Sequence, residues 1–188
     1  MFHRQLIKYS ISPTMAPPTV DELIQRNFAH VGQYPDLSDL PERPKTAIIS
    51  CSDPRVIPER IFHLDYREAL VFRVVGGHPH TVFKNILAVD SFLGLNEIMI
   101  IHHTDCGIRF YTEDDVKNSI RKLEVATEEE IRDLGSFGTL SQEITEEQSV
   151  QDDVHWLKSQ KMLRPKLAEH VRGLVLNVTT GVVKEIEC

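Results

Sequence analysis

The sequence predicts an α/β fold, a mainly parallel sheet flanked by helices and closed by a terminal antiparallel hairpin. Three observations carry that expectation. Apolar runs at Thr46–Ser50, Ala69–Val75 and Glu97–His102 do not alternate with polar residues, as strands buried on both faces should not. Between the second and third runs, Val82, Ile86, Val89 and the Phe92-Leu93 pair recur at helical spacing, and the order strand, helix, strand implies a right-handed crossover between parallel neighbours. Near the end, Val171–Val178 and Val182–Ile186 flank Thr179-Thr180-Gly181, a hairpin pattern.

The 188 residues, 41% hydrophobic, suffice for one core. Residues 1–44 read as an N-terminal arm with a helix and a linker, and residues 45–188 as a single domain. The first twenty residues carry Arg4 and Lys8, no acid, and no signal-peptide apolar core. They read as a tail or dimer-swapping arm rather than a mitochondrial targeting segment. A helix is expected over Val20–His30, and a linker over Pro35–Pro44. Gly94 stands where a helix stop belongs. A helix over 113–123 has Thr112 as its N-cap. The acidic stretch from Ala126 to Gln148 reads as a mobile surface excursion. A last helix is expected over Ser149–Met162, with Val150, Val154, Leu157 and Lys161 on one face.

Net charge is -7, but residues 113–153 hold thirteen acids against four bases, so the remaining residues, with fifteen acids and seventeen bases, are at +2. No basic stripe forms, which argues against nucleic acid or a membrane surface as partner. No apolar run approaches the ~20 residues that span a bilayer. The three cysteines, Cys51, Cys106 and Cys188, are an odd count outside any disulfide framework and point to a reducing, cytoplasmic setting.

Two of those cysteines carry the chemistry. Cys51-Ser52-Asp53-Pro54-Arg55 follows one strand, and His103-Thr104-Asp105-Cys106 follows another. In an open parallel sheet, ligands bind beyond the carboxyl ends of the strands. Two thiolates and one imidazole suit zinc, one ion per chain, and three protein ligands rather than four leave a position for water or substrate. Asp53 is placed to accept a hydrogen bond from that water, and Arg55 offers a planar fork to lock the carboxylate. On an extended segment residues 51, 53 and 55 share one side. His102 reads as a packed histidine on the other face of its strand, and Cys188 as a bystander. His63, His78 and His80 are candidates for a proton relay, with packing or surface roles as the ordinary alternative.

In these motifs the chain resembles the beta-class carbonic anhydrases, whose hallmarks are Cys-x-Asp-x-Arg and His-x-x-Cys-Gly. The resemblance runs from about Thr46 to Asp115 and extends to Arg172-Gly173-Leu174-Val175 and Thr180-Gly181. It points to the short, bacterial-like and fungal branch, which also includes carbonyl sulfide and carbon disulfide hydrolases. It implies that Cys51, His103 and Cys106 are the zinc ligands and that Asp53 and Arg55 are the catalytic dyad. A homodimer or homotetramer is implied as well. Most members carry Asn-Ala-Gly after the second strand; here Val74-Val75-Gly76-Gly77 replaces an amide with an aliphatic group.

The expected reaction is attack of zinc-activated hydroxide on a small linear molecule: hydration of carbon dioxide to bicarbonate. The alternatives are hydrolysis of carbonyl sulfide to hydrogen sulfide and carbon dioxide at the same site, and a zinc-binding protein without turnover.

Overall fold

The computed structural model describes residues 17–37, 43–138 and 143–188. The chain falls into two compact units, Met1–Pro41 and Glu42–Cys188. The arm before residue 17 and the middle of the expected linker, residues 38–42, lie outside the described residues. In the first unit, α1 (Val20–His30) is started by Thr19, whose hydroxyl accepts the Glu22 N–H while the Glu22 carboxylate accepts the Thr19 N–H, a reciprocal capping box. Its apolar side chains Val20, Leu23, Ile24 and Phe28 are exposed.

Among the described residues the second unit has five strands: β1 (Thr46–Cys51), β2 (Ala69–Val74), β3 (Glu97–His103), β4 (Val171–Leu176) and β5 (Val183–Ile186). Their order is β2-β1-β3-β4-β5, parallel throughout except for the antiparallel β4–β5 pair. The expected α/β architecture with its closing hairpin is therefore the one observed. Ala47, Ile49, Ile98 and Ile100 pack on one face, against α3 (Phe83–Leu93) and α6 (Glu146–Lys158). Ile48, Ile101 and Leu176 pack on the other, with Val56 and with Ile61 of α2 (Pro58–Ile61). Full burial of each such side chain stabilises by about 1.5–3 kcal/mol, so β1 and β3 are rigid supports for whatever their ends carry.

Local signals explain most boundaries. Gly94 caps α3 in the left-handed conformation, its N–H bonding Asp90 O. Thr112 caps α4 (Glu113–Arg121) in a box with Asp115. Two expectations need correction. The excursion from Ala126 contains a helix, α5 (Glu128–Asp133), capped by Thr127 in a box with Glu130 and anchored by buried Ile131. The segment after it is tied to α4, because Glu113 accepts from Ser136 Oγ and Phe137 N–H; residues 139–142 lie outside the described residues. The last long helix begins at Glu146 rather than Ser149, because Thr145 caps it, and it ends at Lys158, leaving Lys161 beyond it. A short helix, α7 (Pro165–Ala168), then leads into β4.

Candidate metal centre

β1 and β3 are adjacent and in register, Ser50 opposite Ile101, so both strands end at one edge of the sheet, with Cys51 and His103 as their last residues. Thr104 N–H bonds Leu176 O, and Val178 N–H bonds Thr104 Oγ1. The chain then turns through Asp105, at φ 57°, to return Cys106 to the same point. Cys51, His103 and Cys106 are all buried, and one donor atom from each lies within 4.8 Å of the others.

The donor set fits a zinc ion. The two sulfurs are 3.9 Å apart, and two Zn–S bonds of about 2.3 Å in a tetrahedron would set them about 3.8 Å apart. His103 Nδ1–H donates to Thr104 O at 3.0 Å, which leaves the lone pair on Nε2, the orientation of a metal-binding imidazole. That Nε2 is buried and has no hydrogen-bond partner among the described residues, a cost of about 1–3 kcal/mol unless something occupies it. The hydrogen bond shared by the two thiols pushes Cys51 below the ordinary thiol range. Cys106, which keeps the shared proton, is pushed up for the same reason. Cys188 sits beside Gly173, its thiol donating to Ile186 O, and takes no part in the group.

Asp53 and Arg55 meet at this end of the sheet through a turn, not an extended segment. After Cys51 the strand stops, and the Arg55 N–H folds back on Asp53 Oδ1 at 2.8 Å, an Asx-type turn. The turn brings the pair together, but of the three residues expected to share one cavity Cys51 and Asp53 line the cleft and Arg55 does not. Arg55 Nε and Nη2 grip the two Asp53 oxygens at 3.0 and 2.8 Å, and these hydrogen bonds hold the Asp53 carboxyl well below its ordinary range, at about 2. Asp53 N–H points at Cys51 Sγ, 3.4 Å away. Two residues that local pattern did not single out complete the turn. Arg73, opposite Ser50 on β2, donates to Asp53 O and Ser52 O. Asp105 takes Arg55 Nη1 on its carboxylate at 2.7 Å and Nη2 on its carbonyl at 2.9 Å. An acid between two candidate ligands, facing an arginine of the other motif, was the available signal for Asp105.

A cleft of about 300 Å³ opens over Cys51, Asp53 and Cys106, with Val75, Ile108 and Tyr111 among its walls. Val74 packs into the core instead. The aliphatic surface facing the cleft is therefore that of Val75 and its neighbours.

A family model for carbonic anhydrase matches residues 46–183. The chain belongs to the beta-carbonic anhydrase family of enzymes. It is 27% identical over 169 residues to beta-carbonic anhydrase 1 of Mycobacterium tuberculosis (strain ATCC 25618 / H37Rv), covering 88% of this chain and 96% of that protein. It is 31% identical over 98 residues to the carbon disulfide hydrolase of Saccharolobus solfataricus, over 52% of this chain and 47% of that one. The crystal structure of the Streptococcus mutans carbonic anhydrase matches with a TM-score of 0.75 at 26% identity, covering 92% of this chain and 100% of the other.

This beta-carbonic anhydrase family member also carries a buried histidine network behind the cleft. His102, next to His103 on β3, is buried with Nε2 2.9 Å from Asp153 Oδ2, and His78 Nδ1 lies 2.7 Å from the same oxygen. Burial alone would raise the Asp153 pKa, but the two hydrogen bonds, His102's first, hold it below the ordinary value. His80, half-buried, stacks on His78 with ring centroids 5.5 Å apart. His78, His80 and Asp153 also bring one donor atom each within 4.8 Å. The 2.7 Å contact, however, is a direct hydrogen bond rather than the spacing of two ligands around an ion. The network ties α6 to β3 and to the turn after β2, and His102 is the packed residue its alternation implied. Asp153 escaped sequence reasoning, although an acid three residues from Val150 and next to Val154, on the apolar face of α6, is a visible anomaly. His63 lies exposed after α2.

Proposed function

We propose that Cys51, His103 and Cys106 hold one zinc ion and that the chain hydrates carbon dioxide to bicarbonate. The observation that carries this reading is the buried Cys-His-Cys group with three protein donors, set beside an ionised, arginine-locked carboxylate. Zinc at such a site lowers the pKa of a water to about 7 and so supplies hydroxide at neutral pH.

The chain's own residues do the rest. Asp53, with its pKa held at about 2, is an anion and a hydrogen-bond acceptor across the whole neutral range. It holds the hydrogen of the attacking oxygen, so that a lone pair is left free for the substrate carbon. Arg55 keeps Asp53 from rotating, because two parallel hydrogen bonds define a plane where one would define only a line. The apolar wall at Val75, Ile108 and Tyr111 solvates a linear, uncharged gas and offers an anionic product little, which favours release of bicarbonate.

The same wall favours a second reading, hydrolysis of carbonyl sulfide, since a larger, more polarisable sulfur gains more from an aliphatic surface than oxygen does. Parallel assays of bicarbonate formation and sulfide release on one purified preparation separate the two. Sulfide release with negligible hydration would replace the first reading by the second, and absence of both would overturn the catalytic assignment. We also propose a homodimer or homotetramer, supported by exposed Phe92, Phe110, Tyr111 and Val125 on the second unit; light scattering after size exclusion tests it. Among the described residues no helix is long and apolar enough to cross a membrane.

A further inference from the structure

Arg55 is held from two sides. Its Nε and one Nη2 hydrogen go to Asp53, on the Cys51 side of the site. Nη1 and the second Nη2 hydrogen go to the carboxylate and carbonyl of Asp105, between His103 and Cys106. Four of the five guanidinium N–H groups are thereby used, and one side chain joins the two segments that carry the candidate ligands. Asp53 takes only one edge of the guanidinium, Nε and Nη2; with the Arg55 side chain 45% exposed, the opposite edge would face solvent without a partner of its own. Asp105 meets the guanidinium with its backbone at φ 57°, a conformation that few residues other than glycine, asparagine and aspartate adopt.

We propose that Asp105 is a positioning residue for the reaction, fixing the far edge of Arg55 so that the Asp53 carboxylate keeps one orientation in the cleft. The inference rests on the reading of Asp53 as the acceptor at the cleft. It does not require Asp105 to touch substrate.

Asp105→Gly removes the carboxylate and keeps a backbone that is at ease with positive φ. Asp105→Asn retains an oxygen for Nη1 and also tolerates this conformation. Two readouts are compared: the rate at which phenylglyoxal modifies Arg55, followed by mass spectrometry on metal-free and zinc-loaded protein, and kcat and KM. In Asp105→Gly, Arg55 should react about tenfold faster and kcat should fall about tenfold, with KM and zinc content unchanged, and Asp105→Asn should restore both to within about threefold. An unchanged modification rate overturns the proposal. So does faster modification with wild-type kcat, or a kcat that falls only in proportion to lost zinc, the mark of a merely structural turn. If the wild-type enzyme neither hydrates carbon dioxide nor releases sulfide, the reading of the site fails, while the modification rates still decide whether Asp105 holds Arg55.

Discussion

Gly77→Ala is the most demanding probe of how the fold positions the site. Gly77 stands at φ 78°, and a Cβ there would lie 3.0 Å from Ile101 O, 3.1 Å from Cys51 N and 3.2 Å from Ser50 C. All three atoms are backbone of β1 and β3, held by the parallel ladder on either side, so none can retreat without disturbing the strands that deliver Cys51 and His103. The left-handed conformation costs an alanine about 1–2 kcal/mol, and overpacking against fixed atoms adds about 1–3 kcal/mol, for a total near 3 kcal/mol. In a domain of this size each kcal/mol is worth about 2–4 °C, so Tm should fall by roughly 6–12 °C. Urea and thermal unfolding of purified protein measure it, with Gly107→Ala as the control, since a Cβ at Gly107 meets nothing within 4 Å and should change stability by about 0.5 kcal/mol or less. A loss under about 1 kcal/mol in Gly77→Ala, or one equal to the control, would refute the close approach of this turn to the strand ends.

Cys106→Ser should lower bound zinc to a small fraction of an equivalent, because serine offers no anionic donor at neutral pH; metal analysis of the purified variant checks it. Arg55→Ala should retain zinc but lose most turnover, and steady-state rates equal to wild type would remove Arg55 from the dyad. The acid limb of stability should carry the Asp53–Arg55 pair. With the folded pKa at about 2 against an ordinary 3.8, the unfolded chain binds the proton first, so stability rises with pH through this window. The difference between wild type and Asp53→Asn should stay constant above about pH 5, shrink between about 4 and 2, and vanish below. A difference that widens on acidification would contradict the assignment.

Much of the molecule was legible in the chain because the relevant signals are local. Continuous apolar runs announce strands buried on both faces, and Gly94 and Thr112 mark helix ends by their own conformational preferences. Thr127 with Glu130 was as clear a helix start, but net acidity masked it, although the carboxylates lie in the first turn where the helix dipole favours them. Asp53 and Arg55 were the right pair for the wrong reason: the side chains were expected to meet by strand alternation, and it is an Asx turn that brings them together.

Residue type and spacing were sufficient to name the fold class and the side chains that converge at the two strand ends, since two cysteines and a histidine placed there have few other uses. Packing alone settled that Asp105 shares Arg55, that Arg73 fastens the Asp53 turn, that Asp153 collects two histidines, and that Val75 rather than Val74 faces the cleft. The partners in the first three cases are 20 to 75 positions apart. No periodicity within one segment encodes such contacts; they exist only once the sheet order and the close backbone approach at Gly77 have brought the segments together.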